Sequence, residues 1–569
     1  MKPLKIKLTL FLILAVCSVS TAQIKQAILK TEKVQQFGKA EWDIQLTGEW
    51  SNPYLMEDIA LDMLLTSPSG KMVTVPCFYQ SGESGKLSDW KARFTAQEKG
   101  NYTVTFRLAK KGKTIQEYPA AKFESVASDK KGILHPNDTY TFKFDNGELF
   151  RGIGENLCWE ARSNDDSKYF KTLHENERFN YEFLLNKLAA NGGNYTRIWM
   201  CPWNFPLEWK TVSPNTNRYT NSDEYYNPSV IRKLDRLFEL SDSLGIYIML
   251  TLSGGHSFET GNYSIKTVGF AVNDSDFFVN TKSKDQYKNK LRYLIARWGY
   301  SSSIGAWEFF NEVDYLSFGK NPNDNSRQKA VTAWHDEMST YLKQNDPYGH
   351  LVTTSISHRD VEGLNSVKNI DFNQKHIYKN TVGIPSTIVN YTKSYGKPYV
   401  IGEFGYEWDW SKDFDQFADN MDSDFKRGLW LGLFSPTPIL PMSWWWEYFE
   451  NRGLMEYFKR VREISDLMMK AGKGSFEPVE VTASQTGLTV YSVKCGNQIF
   501  IYLFNPSGEA TTTSVDLAGN QLPQKMNLFT CETGSYSNSS QFELNGGKLK
   551  LKNIDLAAKS DKVVILDLK

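Results

Sequence analysis

The sequence predicts an α/β protein in which a (β/α)8 TIM barrel is flanked by an N-terminal and a C-terminal β-sandwich. Three observations support this fold. The chain has 569 residues, more than one ordinary domain needs. Between about residues 140 and 472, apolar strand-like runs alternate with helical patterns, which is typical of a barrel with a parallel sheet. Short alternating strands without helices precede and follow this region.

The first 22 residues have the features of a secretory signal peptide. A basic start up to Lys7 is followed by the apolar run Leu8–Val16 and by small residues that end at Ala22, the order that such peptides show. The segment Leu14–Cys17 also resembles a lipoprotein box, although Val16 is bulkier than the residue usual there. We expect a secreted or periplasmic protein, with an outer-membrane lipoprotein as the alternative. No later run reaches the roughly 20 apolar residues that span a bilayer.

Residues 23–125 are predicted to form an immunoglobulin-like β-sandwich. Alternating runs such as Ala40–Leu46 and Tyr102–Leu108 are separated by turn-forming segments such as Ser67–Gly70, a rhythm typical of sandwiches. The polar stretch 126–138 is predicted to be a linker. Residues 473–569 return to strand patterns, for example Gln498–Leu503, and are predicted to form the second sandwich.

The barrel is predicted to span residues 126–472. Its strands are apolar without alternation, as expected for a parallel sheet buried on both faces. The predicted strands are Leu149–Gly152, Tyr195–Trp199, Ile246–Leu252, Ile304–Phe310, Leu351–Thr354, Phe372–Ile377, Pro398–Gly402 and Ile439–Trp444. The predicted helices are Phe179–Ala190, Val230–Leu244, Gln286–Trp298, Gln328–Leu342, Ser386–Ser394, Phe414–Leu431 and Leu454–Ala471.

The bulk composition narrows the function. A net charge of +1 gives no reason to expect a nucleic-acid partner. Aromatic residues make up 14% of the chain; most would fill cores, but flat rings also stack on sugar faces. The cysteines that follow the signal peptide are scattered and lack metal-ligand spacing, so we expect buried thiols, with one disulfide between Cys158 and Cys201 conceivable. We expect no metal and no organic cofactor.

Two glutamates each follow a short apolar run that predicts a buried strand. Ile304–Phe310 is followed by Asn311 and Glu312, and Pro398–Gly402 is followed by Glu403. In a (β/α)8 barrel, catalytic groups come from the C-terminal ends of different strands. The stretch between the two glutamates is as long as three strand-helix units of roughly 30 residues, which puts Glu312 after strand 4 if Glu403 follows strand 7. Two carboxylates that flank one bond are the groups that hydrolyse glycosides.

The segments Trp307–Glu312 (WEFFNE) and Gly402–Gly405 (GEFG), each at a strand end, resemble those of the clan A glycoside hydrolases, and family 5 is the closest. The resemblance implies that Glu403 is the nucleophile and Glu312 the general acid/base. It also implies that Asn311 contacts the sugar 2-hydroxyl. The N-terminal sandwich resembles an uncharacterised domain found ahead of such barrels in secreted bacterial proteins.

Other side chains near strand ends are predicted to contact the substrate or the two carboxylates. Arg197 resembles the arginine beside the nucleophile in that clan, and its guanidinium would keep Glu403 ionised; an ordinary strand-end salt bridge is the alternative. Tyr378 resembles the tyrosine that donates a hydrogen bond to the nucleophile. We expect a raised pKa for Glu312 and a low one for Glu403. The remaining candidates are His256, His376, Glu155, Asn156, Trp159, Trp444 and Trp446.

Three consecutive tryptophans end the predicted strand 8. Strand alternation would put Trp444 and Trp446 on one face and Trp445 on the other. Clan members carry a stacking tryptophan at this place. Which of the three floors the −1 subsite stays open, and Trp446 is favoured. Further platforms, or alternatively surface packing, are predicted for Trp203, Trp408 and Trp410.

The function predicted from the sequence is retaining hydrolysis of a β-linked poly- or oligosaccharide. The resemblance favours β-mannan or β-glucan. One departure is Val313, which stands where family 5 cellulases often have proline. Two alternatives stay open: a non-catalytic glycan-binding protein on the same scaffold, and a transglycosylase that uses the same two glutamates.

Overall fold

The structure is a computed structural model that describes residues 22–259, 263–319, 321 and 324–568. The predicted signal peptide therefore lies outside the described residues, apart from its last residue, Ala22. Among the described helices, none combines the length and the apolar character that a membrane span requires.

The N-terminal region consists of two β-sheets of four and five strands. Alternate residues of its strands point into a shared core, as Trp42, Ile44 and Leu46 do with at most 1% exposure. The period of two thus explains the alternating sequence pattern. The strands are Gln23–Leu29, Val34–Gln35, Lys39–Thr47, Ile59–Thr66, Met72–Pro76, Phe78–Ser81, Leu87–Thr95, Gly100–Lys110 and Lys113–Val126.

A small antiparallel sheet follows, formed by Leu134–Pro136, Phe142–Phe144 and Leu149–Phe150. This sheet corrects two predictions. The stretch 126–138 is only partly a linker, because Ile133 and Leu134 are fully buried. Leu149–Phe150 belongs to this small sheet, and the first strand of the parallel sheet is Gly154–Asn156.

The central region is built on parallel strands that pair in the order of the sequence. The strands are Gly154–Asn156, Tyr195–Trp199, Tyr247–Thr251, Ile304–Glu308, Val352–Thr353, Ser355–Ile356, Asn373–Tyr378 and Tyr399–Gly405. Ser443 forms parallel bridges both to Glu155 in the first strand and to Phe404 in the last. The parallel pairing therefore returns to its starting strand, and the carboxyl ends of all these strands face the same side.

Long helices connect these strands and cover the sheet. Several begin at an asparagine whose side chain accepts a backbone N–H, as Asn180 does from Phe183 and Asn227 from Ser229, which satisfies an otherwise unpaired donor. The long helices are Tyr181–Ala190, Pro228–Leu244, Thr281–Trp298, Ser326–Asn345, Ile384–Tyr395, Ala418–Leu433 and Phe458–Gly472. The shorter ones are Lys171–His174, His256–Glu259, Asp274–Phe277, Asp314–Ser317 and Trp446–Asn451, and the 3-10 turns are Leu364–Ser366, Thr381–Gly383, Phe414–Phe417 and Leu454–Tyr457.

The C-terminal region again has two sheets, of six and four strands. Apolar residues such as Ile501, Val515 and Leu551 fill the core that the two sheets share. The strands are Glu477–Pro478, Val481–Ala483, Thr489–Cys495, Gln498–Phe504, Thr511–Ala518, Lys525–Thr530, Ser535–Ser539, Phe542–Asn545, Lys548–Leu556 and Asp561–Asp567.

The five described cysteines are buried free thiols. The conceivable disulfide between Cys158 and Cys201 is therefore absent. The thiol pKa values are raised, because burial disfavours the thiolate. These residues behave as small apolar side chains.

Candidate active site

The two predicted glutamates lie together at the carboxyl ends of the parallel strands. Glu403 is part of the strand Tyr399–Gly405, where it is 4% exposed. Glu312 follows the strand Ile304–Glu308 and has a φ of 46°, a left-handed conformation that few non-glycine residues adopt. Such conformations are held by their surroundings and cluster at functional sites. One carboxylate oxygen of Glu312 and one of Glu403 lie within 4.8 Å of each other.

Arg197, in the strand Tyr195–Trp199, binds residues of two other strands, Ile304–Glu308 and Tyr399–Gly405, and Asn311 after the first of them. Its Nη1 donates to Glu403 Oε1 at 2.6 Å, and its Nη2 donates to Asn311 Oδ1 at 2.8 Å. Nε and Nη2 bind both oxygens of Glu308, at 2.6 and 2.9 Å. The guanidinium is fully buried, so this fork of charge-assisted hydrogen bonds fixes its orientation.

Two residues of the strand Asn373–Tyr378 contact the carboxylates. The Tyr378 hydroxyl donates to Glu403 Oε2 at 2.6 Å. His376 Nδ1 lies 2.8 Å from Glu312 Oε1 and 3.4 Å from Glu403 Oε1. Burial lowers the pKa of His376 to about 4, so the imidazole is neutral at pH 7 and shares a hydrogen bond with Glu312 through Nδ1.

The two carboxyl groups have different electrostatic surroundings. Burial raises the pKa of Glu312 to about 7, and the negative charge of Asp314 adds to this rise. Burial also raises the pKa of Glu403. The prediction of a lowered pKa for Glu403 is therefore wrong in direction. His376, Arg197 and the Tyr378 hydroxyl oppose that rise by favouring the ionised form. Glu403 thus has direct partners for its anion, whereas Glu312 is poised to carry a proton near neutral pH.

A cleft of about 390 Å³ lies over the two glutamates, within the range of small-molecule sites. Aromatic rings and polar side chains share its walls. The lining residues are Trp199, Glu312, Tyr315, Ser357, His358, His376, Tyr378, Lys379, Glu403, Trp408 and Trp444. Trp408 is 56% exposed, so part of its ring is accessible to solvent.

The prediction for Trp446 is wrong. Trp444 lines the cleft, whereas Trp446 is 1% exposed and packs edge-on against Trp159 and Trp444. The predicted alternation fails because Trp445 has a φ of 58° and the helix Trp446–Asn451 begins at the next residue. Trp445 instead packs on Phe170.

The candidates from the first strand are buried below the cleft. Asn156 donates to the carbonyls of Gly402 and Ser443, at 3.0 Å each, and its Oδ1 accepts from Arg197, so it supports the arginine. Glu155 is fully buried, accepts from the Ser443 hydroxyl at 3.1 Å, and has a pKa well above its ordinary value because of burial. Neither residue is among those that line the cleft.

Trp159 and His256 contact aromatic rings near the cleft but do not line it. The Trp159 ring contacts four other tryptophans, among them Trp199 and Trp444, so it supports rings that line the cleft. The His256 ring packs edge-on to Trp203 at 4.7 Å. Among the described residues, these two candidates do not reach the cleft lining.

Glu308 is a site residue that the sequence analysis missed. It is fully buried in the fourth strand, where it holds Arg197 with both oxygens and accepts from the Thr251 hydroxyl at 2.5 Å. A charged residue inside an apolar strand needs a buried partner, and that signal was present in the segment WEFFNE. His358 and Tyr315 also line the cleft and were missed. His358 lies in a loop and Tyr315 in the short helix Asp314–Ser317, and neither has a strand-end pattern.

Glu312, His376 and Glu403 offer donor atoms within 4.8 Å of one another, as a metal site would. Both oxygens of Glu403 already accept hydrogen bonds, from Arg197 and Tyr378. A guanidinium at 2.6 Å also opposes a second cation. We therefore interpret this cluster as two carboxyl groups that are hydrogen-bonded to neighbouring side chains, and not as a metal site.

Comparisons with known proteins found a matching family model and several proteins of similar sequence. Residues 33–109 match the family model "Domain of unknown function (DUF5060)". A stretch of 254 residues is 24% identical to mannan endo-1,4-beta-mannosidase A of Podospora anserina, covering 40% of this chain and 64% of that protein. Mannan endo-1,4-beta-mannosidase A of Aspergillus aculeatus is 26% identical over 257 residues, covering 39% and 64%. The chain thus spans slightly less than two thirds of the length of these curated relatives.

One solved structure resembles nearly the whole chain. It is that of a "putative glycoside hydrolase" from Bacteroides vulgatus, with a TM-score of 0.64, 14% identity, and coverage of 95% of this chain and 100% of that one. At this identity the likeness concerns the fold. The resemblance to glycoside hydrolases that the two glutamate segments predict is confirmed by these relatives, and the uncharacterised N-terminal domain is confirmed by the family model.

Proposed function

We propose that this protein is a secreted retaining glycoside hydrolase that cleaves a β-linked glycan, with Glu403 as nucleophile and Glu312 as general acid/base. The observation that carries the proposal is the contrast between the two carboxyl groups. Glu403 is bonded to Arg197 and Tyr378, whereas Glu312 has a pKa raised to about 7. Pairs of carboxyl groups with separated environments are the acid and nucleophile of glycosidases.

The proposed reaction has two displacements. Glu403 attacks the anomeric carbon while Glu312 gives its proton to the leaving glycosidic oxygen, so the glycosidic bond breaks as the ester to Glu403 forms. Glu312, now ionised, removes a proton from water, and the resulting hydroxyl displaces Glu403. Carboxyl groups about 5–5.5 Å apart suit this route, whereas inversion needs about 6.5–9.5 Å. The oxygen pair within 4.8 Å supports retention.

The neighbouring residues support these steps. Arg197 and Tyr378 hold the two oxygens of Glu403 and stabilise its anion when the intermediate is released. The neutral His376 is hydrogen-bonded to Glu312 through Nδ1 and so orients it. Asn311, fixed by Arg197, is proposed to bind the sugar 2-hydroxyl, and Trp444 to stack on the sugar at the cleft wall.

For the substrate we propose β-1,4-mannan. The similar proteins from Podospora anserina and Aspergillus aculeatus are named as mannan endo-1,4-β-mannosidases, and their aligned stretches support this choice over β-glucan. For the architecture we propose a (β/α)8 barrel over residues 126–472, supported by the parallel pairing that returns to its first strand through Ser443. We propose β-sandwiches over residues 23–125 and 473–569, and export directed by residues 1–22.

The proposal is tested by hydrolysis of β-mannan, β-glucan and their oligosaccharides by wild type, Glu312→Gln and Glu403→Gln. We expect wild type to degrade β-mannan and Glu403→Gln to lose more than about a thousandfold of kcat. Turnover that survives both substitutions would move the reaction to another site. Binding without turnover by wild type would favour a glycan-binding protein. Longer products formed in the presence of an acceptor sugar would favour a transglycosylase.

A further inference from the structure

A second cavity, of about 540 Å³, lies between the N-terminal sheets and the loops that follow the second and third parallel strands. It is larger than the cleft over the glutamates, which is about 390 Å³. Its walls combine aromatic rings from both regions with carboxylates. The residues that matter here are Trp50, Tyr54, Tyr79, Asp223, Glu224 and Tyr225.

Direct polar contacts fix the junction around this cavity. The Met56 N–H donates to Asn289 Oδ1 at 3.0 Å. Arg292 Nη2 lies 2.6 Å from Asp62 Oδ1. These contacts join the N-terminal sheets to the helix Thr281–Trp298, so the cavity keeps its shape before any ligand arrives, which lowers the entropy cost of binding.

The aromatic walls are held in place by each other. The Tyr54 ring stacks on Tyr225 with centroids 5.8 Å apart and planes 18° apart. Tyr79 packs edge-on to Tyr54 and to Trp50, and its hydroxyl donates to the Gly82 carbonyl at 2.6 Å. Ordered rings that keep partly accessible faces suit the apolar C–H faces of sugar rings.

Three of the polar residues that line the cavity are carboxylates. Asp223 and Glu224 are exposed at its rim. Glu208 is buried and paired with Lys290 at 2.6 Å, and Lys210 is the cation among the lining residues. Carboxylates accept strong hydrogen bonds from hydroxyl groups, whereas this excess of negative charge repels phosphates and acidic sugars.

We propose that this cavity binds a neutral oligosaccharide segment, in addition to the segment bound over Glu312 and Glu403. The loop between Trp199 and Pro228 connects the two places, because Trp199 lines the cleft and Tyr225 lines the cavity. One polysaccharide could then be held at both. This recruiting role depends on the proposed function, but binding at the cavity does not.

The test is isothermal titration of Glu403→Gln, in which turnover is blocked, with β-1,4-mannohexaose and with cellohexaose. We expect two sites for at least one probe. Adding Trp50→Ala should weaken one of them about tenfold, since truncating an aromatic anchor costs about 1.4 kcal/mol or more. Adding Glu224→Gln, which changes one hydrogen-bonding group at an exposed residue, should weaken the same site severalfold. The matched aromatic control is Tyr395→Ala, on the distant helix Ile384–Tyr395, which should leave both sites unchanged.

Three results would overturn the inference: no binding of either probe, a single site that is insensitive to Trp50→Ala, or two sites that are insensitive to both Trp50→Ala and Glu224→Gln. These results differ from a failure of the proposed function. A chain that hydrolyses nothing but loses a site on Trp50→Ala would keep the inference and reject the hydrolase. A chain that hydrolyses β-mannan but has one binding site, insensitive to Trp50→Ala, would keep the hydrolase and reject the inference.

Discussion

Glu312 is expected to set the alkaline limit of hydrolysis. Burial and Asp314 raise its pKa from an ordinary 4.5 to about 7. At pH 7 about half of the molecules then carry the proton, against about 1 in 300 for an unperturbed carboxyl group. Because a general acid acts only when protonated, kcat/KM on β-mannan oligosaccharides should fall about tenfold per pH unit above pH 7.

The perturbation that tests this reasoning is Asp314→Asn. Loss of that negative charge removes a cause of the raised pKa, so the alkaline limb of the pH profile should move to lower pH. The assay is kcat/KM between pH 4 and 9 for both proteins. An aryl glycoside with a leaving group that needs no proton serves as the control, since its alkaline limb should not depend on Glu312. An unchanged limb in Asp314→Asn, or equal limbs on both substrates, would refute the reasoning.

Three further predictions concern stability and binding. The raised pKa of Glu312 makes the free energy of unfolding fall as pH rises from 4.5 through about 7. Glu312→Gln should lose this dependence and be about 3 kcal/mol more stable than wild type by pH 8. If urea unfolding shows the same change in stability between pH 5 and 8 for both proteins, this prediction is wrong. Glu308→Ala removes a partner of the buried Arg197 and should cost about 3–5 kcal/mol, whereas an unchanged melting temperature would argue that the pair is dispensable. Trp446→Ala should cost about 3–5 kcal/mol as a core truncation, whereas Trp444→Ala should raise KM for mannohexaose with the melting temperature nearly kept; the opposite pattern would reverse the assignment of the two rings.

Much of the site followed from local sequence patterns. Glu312 and Glu403 each end an apolar run, and parallel strands bring their carboxyl ends to one side. Arg197 and Tyr378 were identified by their resemblance to clan A residues, and both contact Glu403 in the structure. The strand pattern placed them in the parallel sheet, and the resemblance supplied their expected roles.

The errors arose where backbone geometry changed without a signal in the sequence. Trp445 has a left-handed backbone conformation, which is not predictable at a residue other than glycine. The strand alternation used to orient Trp446 therefore does not hold beyond Trp445. The first parallel strand begins at Gly154 and not at Leu149, because the run 149–150 pairs with Phe142–Phe144 in the small sheet. Glu155 therefore lies within the first parallel strand, where it is fully buried.

Loop residues and cross-region cavities were beyond sequence reasoning for a different reason. His358 and Lys379 line the cleft because loops after different strands converge there, and spacing along the chain does not encode that convergence. Likewise, Tyr54 and Tyr225 stack across two regions that are far apart in sequence. Only the packed structure brings such pairs together.

The measurement that tests the central claim most directly is the anomeric configuration of the first sugar released from a β-mannan oligosaccharide, followed by NMR before mutarotation. We expect the β-anomer to appear first, because Glu403 and Glu312 act by two displacements across a short gap. Release of the α-anomer first would mean a single displacement by water, and would contradict the assignment of Glu403 as nucleophile.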